Sequence, residues 1–69
     1  MKLSARNTLP GTVIKVTKGA VNAEVDIRLK GGDTVVSIIT MGSLKTLGIK
    51  KGKQVYAVIK ASNVMVGVD

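Results

Sequence analysis

Two short segments near opposite ends of the chain combine a cation, a hydroxyl, an amide and a small residue. They are Ser4-Ala5-Arg6-Asn7 and Lys60-Ala61-Ser62-Asn63. A tetrahedral dianion needs many hydrogen-bond donors and no carboxylate beside it, and guanidinium, ammonium, hydroxyl and backbone N–H groups supply those donors. Each segment on its own is more typical of an ordinary solvated strand end than of an anion site, so the residue types alone leave both interpretations open.

The usual catalytic and metal-binding constellations are missing from the sequence. There is no His and no Cys, which removes Ser-His and Cys-His pairs and the common zinc ligands. No glycine pair fits a P-loop or dinucleotide fingerprint. The chain is therefore predicted not to be an enzyme and not to coordinate a metal directly through its side chains. The few carboxylates are distributed as on a solvated surface, at Glu24, Asp26, Asp33 and Asp69.

The charge balance favours an anionic partner. Eleven Lys and Arg residues against four Asp and Glu give a formal charge of +7, which suits nucleic acid, an acidic surface or a small oxyanion. Surfaces for single-stranded nucleic acid also need stacking aromatic side chains, and Tyr56 is the only aromatic residue. A basic nucleic-acid-binding barrel is thus the alternative function, which the missing aromatics disfavour. A structural or regulatory module that holds no ligand is a third possibility.

The elements that must position the two segments are predicted to be short strands separated by Gly-containing turns. Apolar and polar residues alternate strictly over residues 21–30, as in a half-buried strand. In the strand before it, Ile14 and Val16 are expected to face inward, and Pro10-Gly11 is expected to form a turn. The predicted strands cover residues 2–7, 12–18, 21–30, 34–40, 54–60 and 64–68.

Residues 41–47 form the only predicted helix. Thr40 or Ser43 can cap its start, Leu44 and Leu47 share a face, and Gly48 suits the left-handed position after its end. The fold class is accordingly all-β, an OB-like five- or six-stranded antiparallel barrel with one short helix, and residues 1–69 are expected to form a single domain. A two-sheet sandwich half completed by a partner is the rival architecture.

Self-association is expected from the size and apolar content of the chain. A 69-residue chain without cysteine, in which 45% of the residues are hydrophobic, has a small core and no disulfide to reinforce it. The strand at residues 34–40 is apolar on both faces, so both should be covered. No apolar run approaches the length of a membrane span, and charged residues occupy the N-terminus where a signal peptide would be apolar. A cytoplasmic location without membrane contact is predicted.

The two donor-rich segments, taken with the residues between them, resemble the molbindins, the Mop family of small molybdate-binding proteins (TOBE/Mop domain). The resemblance runs from about Leu3 to Val66. Its pieces are Ser4-Ala5-Arg6-Asn7, Leu9, Gly11, residues 19–25, residues 37–40, Leu47-Gly48 and residues 58–64.

The resemblance implies an OB-like barrel that assembles as a homohexamer, a trimer of dimers, and stores molybdate or tungstate at its subunit interfaces. The intact oxyanion would be recognised by hydrogen bonds and charge. One class of site would use Ser4, Ala5 and Arg6 of one subunit facing Lys60, Ala61 and Ser62 of another. A second site nearer the threefold axis would use Gly19, Ala20 and Asn22.

Overall fold

Four antiparallel strands and one short helix make up the chain, and the computed structural model describes residues 1–69. The strands form one sheet of order β3-β2-β1-β4. The sheet curls, so that its two edge strands, β3 and β4, line a common cleft of about 390 Å³. The OB-like all-β class with one short helix is confirmed, with four strands where five or six were expected. In chain order the elements are β1 (Asn7–Lys18), β2 (Asn22–Leu29), β3 (Thr34–Thr40), α1 (Met41–Leu47), β4 (Gln54–Ile59) and a 3-10 turn (Ala61–Asn63).

Strand β1 is long because it pairs with two neighbours, β4 along its first half and β2 along its second half. The predicted turn at Pro10-Gly11 is wrong, since the strand continues through both residues. Pro10 pairs with Tyr56 of β4, and the β2 ladder begins only at Gly11, so the missing N–H of the proline is not needed on that side. Gly11 marks the place where three strands meet.

The two predicted terminal strands are outside the sheet, which accounts for the lower strand count. Residues 1–6 do not pair, because β1 begins at Asn7 and its neighbour β4 ends at the facing residue, Ile59. Residues 64–68 form no strand and are exposed, with Met65 93% and Val68 95% accessible. Both predictions fail for the same reason: no strand of the chain runs alongside these segments.

The core lies inside the curled sheet and is small. The alternation predicted for β2 is confirmed at Ala23, Val25 and Ile27. In β1 a bulge between Val13 and Lys15 inserts one extra residue, so Val13 and Val16 both pack on the core and the inward direction predicted for Ile14 is wrong. The buried residues of the core are Val13, Ala23, Val25, Ile27, Leu44 and Ala57.

Helix α1 begins and ends where its local signals predict. The Thr40 hydroxyl accepts a hydrogen bond from the Ser43 N–H at 3.0 Å, which caps the first turn. Gly48 adopts the left-handed conformation with φ of 63° just after the last turn. Leu44 is buried in the core, whereas Leu47 remains 57% exposed. No helix of the structure has the length and apolar character needed to cross a membrane.

Apolar side chains remain uncovered on the outer face of both edge strands. On β3, Val36 and Ile38 are 56% and 68% exposed, and on β4, Tyr56 and Val58 also point away from the core. Only seven of the 69 residues are buried. The two-faced apolar pattern predicted for β3 is therefore present, with its outer face open in the single chain.

Candidate anion-binding site

The two donor-rich segments leave the sheet at the same end of the β1–β4 ladder. The β1–β4 ladder ends at the pair Asn7 and Ile59. Arg6 immediately precedes Asn7 and Lys60 immediately follows Ile59. Because the strands are antiparallel, both cationic residues leave the ladder at the same end. Two segments from opposite ends of the sequence thus form one donor-rich edge.

A side-chain hydrogen bond closes this end of the ladder. The Asn7 carboxamide donates through Nδ2 to the Ile59 carbonyl at 3.2 Å, and the bond is partly buried. That carbonyl belongs to the peptide unit leading into Lys60. The bond therefore links the two segments one residue away from each cation.

The second segment turns sharply after Lys60. Lys60 is extended, with φ of −64° and ψ of 134°, and occupies the position just before the 3-10 turn formed by Ala61–Asn63, without a side-chain hydrogen bond to that turn. The Asn63 N–H donates to the Lys60 carbonyl at 2.8 Å. The first N–H groups of a helical turn have no acceptor within it, so those of Ala61 and Ser62 are available to a ligand.

The edge is cationic and open to water. Neither segment contains a carboxylate, and the nearest acidic residues along β1 face its other half, where Asp26 pairs with Lys15 and Glu24 with Thr17. Ala5 is half-buried. The other five predicted site residues are exposed: Ser4, Arg6, Lys60, Ala61 and Ser62. A single chain thus leaves both donor-rich segments open at one end of the sheet.

The residues of the predicted second site lie at the opposite end of β1, in and beside its turn into β2. The Gly19 N–H donates to the Asn22 carbonyl at 2.8 Å, which tightens this turn around Ala20. A shallow cleft of about 300 Å³ at this place is lined by Gly19 and Asn22 together with Lys18 and Glu24. The Glu24 carboxylate makes this cleft electrostatically less suited to a dianion than the Arg6–Lys60 edge.

Asn7 is not among the site residues predicted from the sequence, although its side chain joins the two segments in the structure. In the sequence its amide is one of several donors in the first segment, without a partner. The missing information is the pairing of β1 with β4, which sets Asn7 opposite Ile59 across more than fifty residues of chain. The position of Asn7 next to Arg6 therefore indicates a role at the site only when the pairing of β1 with β4 is known.

Comparison with protein families and curated proteins gives consistent matches. The TOBE domain family model matches residues 3–66. A probable molybdenum-pterin-binding protein of Haemophilus influenzae is 46% identical over the full length of both chains. Molybdenum-pterin-binding protein 3 of Clostridium pasteurianum is 50% identical over 66 residues, covering 96% of this chain and 97% of the relative.

A solved structure agrees with these sequence matches. The cytoplasmic molybdate-binding protein ModG, in a crystal form with molybdate bound, superposes with a TM-score of 0.95 at 51% sequence identity. The alignment covers all of this chain and 49% of the ModG chain. Both the fold and the sequence pattern are therefore shared with this molybdate-binding protein.

Proposed function

The chain belongs to the TOBE domain family and, within it, to the molbindins, and on that premise we propose that it binds molybdate or tungstate as an intact oxyanion and stores it in the cytoplasm. Residues 1–69 act as one Mop domain. The protein binds and releases its ligand without transforming it.

The observation that carries this proposal is that both donor-rich segments are exposed at the same end of the β1–β4 ladder. Arg6 and Lys60 supply positive charge to a dianion, and Ser4 and Ser62 supply hydroxyl donors. The small side chains of Ala5 and Ala61 leave backbone N–H groups within reach. Charge-assisted hydrogen bonds of this kind are the stronger ones in proteins, and no carboxylate of either segment opposes the ligand.

A homohexamer, built as a trimer of dimers, encloses the anion. Each chain presents both segments on an exposed edge, so a neighbouring chain can set its Lys60–Ser62 segment against the Ser4–Arg6 segment of the first. Exposed apolar surface supports this assembly, because Val36, Ile38 and residues 64–68 have no cover in the single chain. The outer edges of β3 and β4 pair with no other strand of the chain and are also available to a partner.

Selection among oxyanions follows from cavity size in this proposal. Molybdate, tungstate and sulfate carry the same charge and the same tetrahedral arrangement of oxygens. The metal–oxygen bonds are longer than the sulfur–oxygen bonds, so donors spaced for molybdate cannot all reach the oxygens of sulfate. Gly19, Ala20 and Asn22 are proposed as a second, weaker site, because Glu24 shares their cleft.

The nucleic-acid-binding alternative is not favoured. The proteins that match the chain include a molybdenum-pterin-binding protein and a molybdate-binding protein. Tyr56, the only aromatic residue, lies on β4 among apolar residues such as Val55 and Val58 that line the same groove. A base stacked on Tyr56 would therefore meet a single cationic side chain, that of Lys53, among hydrophobic side chains, whereas surfaces for single-stranded nucleic acid combine several cations with several aromatic side chains.

Equilibrium dialysis followed by elemental analysis tests the proposed function. The purified protein, dialysed against micromolar molybdate with excess sulfate, should retain molybdenum at a fixed ratio per chain. A fluorescent single-stranded oligonucleotide serves as the competitor and should not displace it at 150 mM salt. Retention of no molybdenum above the buffer level, or its full displacement by sulfate, would refute the proposal.

A further inference from the structure

Two side-chain hydrogen bonds join β1 to β4, and they lie at opposite ends of the ladder. Gln54 Nε2 donates to Thr12 Oγ1 at 3.0 Å at the exposed far end. Asn7 Nδ2 donates to the Ile59 carbonyl at 3.2 Å, in a partly buried position at the end that carries the candidate anion site. The second bond acts on the backbone, so it fixes the course of the chain as well as a side chain.

The strand end at Asn7 needs such a bond because of the charges beyond it. Arg6 and Lys60 are both cations that leave the ladder at the same end, and like charges near one another repel. The last pair of a ladder also opens more readily than the pairs inside it. Both effects favour separation of the two segments.

We propose that Asn7 is a positioning residue of the oxyanion site. This inference rests on the proposed function. The Asn7 carboxamide holds the peptide unit that leads into Lys60 next to the residue that follows Arg6. Both segments, each of which contributes to a site shared with a neighbouring chain, are thereby held in place before the anion arrives. Asn7 does not touch the ligand; it lowers the conformational cost of binding, which is the general effect of preorganisation on affinity.

The residue type fits this role. The acceptor is a carbonyl oxygen, so the side chain must donate, and a carboxamide of this length reaches it. Aspartate has the same shape without a donor, and it would add negative charge beside a dianion. Asn7→Ala removes the bond without changing the net charge, which makes it the cleaner test.

Titration calorimetry with molybdate on the assembled protein tests the inference, using Asn7→Ala and Gln54→Ala. Each substitution removes one hydrogen bond between the same two strands, and only the first lies at the site. Asn7→Ala should weaken molybdate binding about three- to tenfold, the range for loss of one neutral hydrogen bond. Gln54→Ala should leave the affinity within about twofold of the unsubstituted protein.

A mutant cycle separates positioning from a general structural effect. If Asn7 holds Arg6 in place, Arg6→Ala should reduce affinity less in the Asn7→Ala background than alone. Asn7→Val, which suits a strand and lacks the donor, replaces Asn7→Ala should the latter fail to assemble. Equal affinities for the Asn7 and Gln54 variants, or additive effects of Arg6 and Asn7, would overturn the inference. Absence of molybdate binding by the unsubstituted chain would instead overturn the proposed function, and the inference with it.

Discussion

A Cβ atom on Gly11 would lie 2.6 Å from Cγ2 of Ile27 and 2.7 Å from the carbonyl oxygen of Arg28. Both distances are far shorter than van der Waals contact, and the second involves backbone. Gly11 is the residue at which β1 pairs with β2 and β4 together. The closeness of β1 to β2 at the centre of the sheet therefore depends on the absence of a side chain there.

Gly11→Ala should lower the free energy of unfolding by about 1–3 kcal/mol, because the added methyl group forces the strands apart. Gly31→Ala is the matched control: apart from its chain neighbours, no residue has an atom within 4 Å of the place its methyl group would take, so the change should stay within about 0.5 kcal/mol. Chemical denaturation followed by circular dichroism measures both. Equal losses for the two variants would contradict the close-packing role of Gly11.

Thr40→Ala should destabilise the protein by about 1 kcal/mol, because it removes the hydroxyl that accepts from the Ser43 N–H at the start of α1. Thr46→Ala removes an exposed hydroxyl from the same helix and should be neutral or slightly stabilising, since alanine is the better helix former. Thermal unfolding of the two variants gives the comparison. A larger loss for Thr46→Ala would argue against the cap.

Local signals predict most of the interior of the fold. Helix α1 has its predicted bounds because its cap and its terminal glycine act within a few residues. Strand β2 is predictable because alternation over eight residues is itself the mark of a half-buried strand. Such features need no knowledge of what lies elsewhere in the chain.

The errors occur where a distant strand decides the outcome. Pro10-Gly11 has the composition of a turn, yet it continues a strand because two neighbours pair with it. The alternating pattern predicts that Ile14 faces inward, because the pattern does not reveal the bulge between Val13 and Lys15. Similarly, the residue types at Arg6 and Lys60 indicate an anion, but only the ladder register shows that they emerge together.

Molybdate and tungstate should raise the melting temperature, because a ligand that binds only the folded assembly stabilises it by mass action. At a ligand concentration of about one hundred times Kd, the stabilisation is about 2.7 kcal/mol. Sulfate at the same concentration and ionic strength should produce a much smaller shift. Differential scanning fluorimetry with the three sodium salts is sufficient. Equal shifts for all three would indicate a general basic surface and no selective cavity.

Sedimentation analysis should give a particle of six chains, each of 7.2 kDa. Ile38→Lys places a charge on the exposed apolar face of β3 and should shift the protein to smaller species, because burying an unpaired charge in an interface is costly. Thr46→Lys, also at an exposed residue but on α1, should leave the assembly intact. A monomer at micromolar concentration without any substitution would contradict the hexamer and the enclosed site together.

The most direct test of the proposed site measures molybdate affinity by titration calorimetry in four single variants of equal charge. Arg6→Ala and Lys60→Ala each remove a cation from the proposed site, whereas Lys45→Ala and Lys51→Ala remove one from α1 and from the turn before β4. Loss of a charge-assisted hydrogen bond should weaken binding about ten- to a hundredfold for the first pair. The second pair should change affinity little at 150 mM salt, where distant charges are screened. If Lys45→Ala and Lys51→Ala weaken molybdate binding as much as Arg6→Ala, the anion is held by net charge alone and the proposed site is wrong.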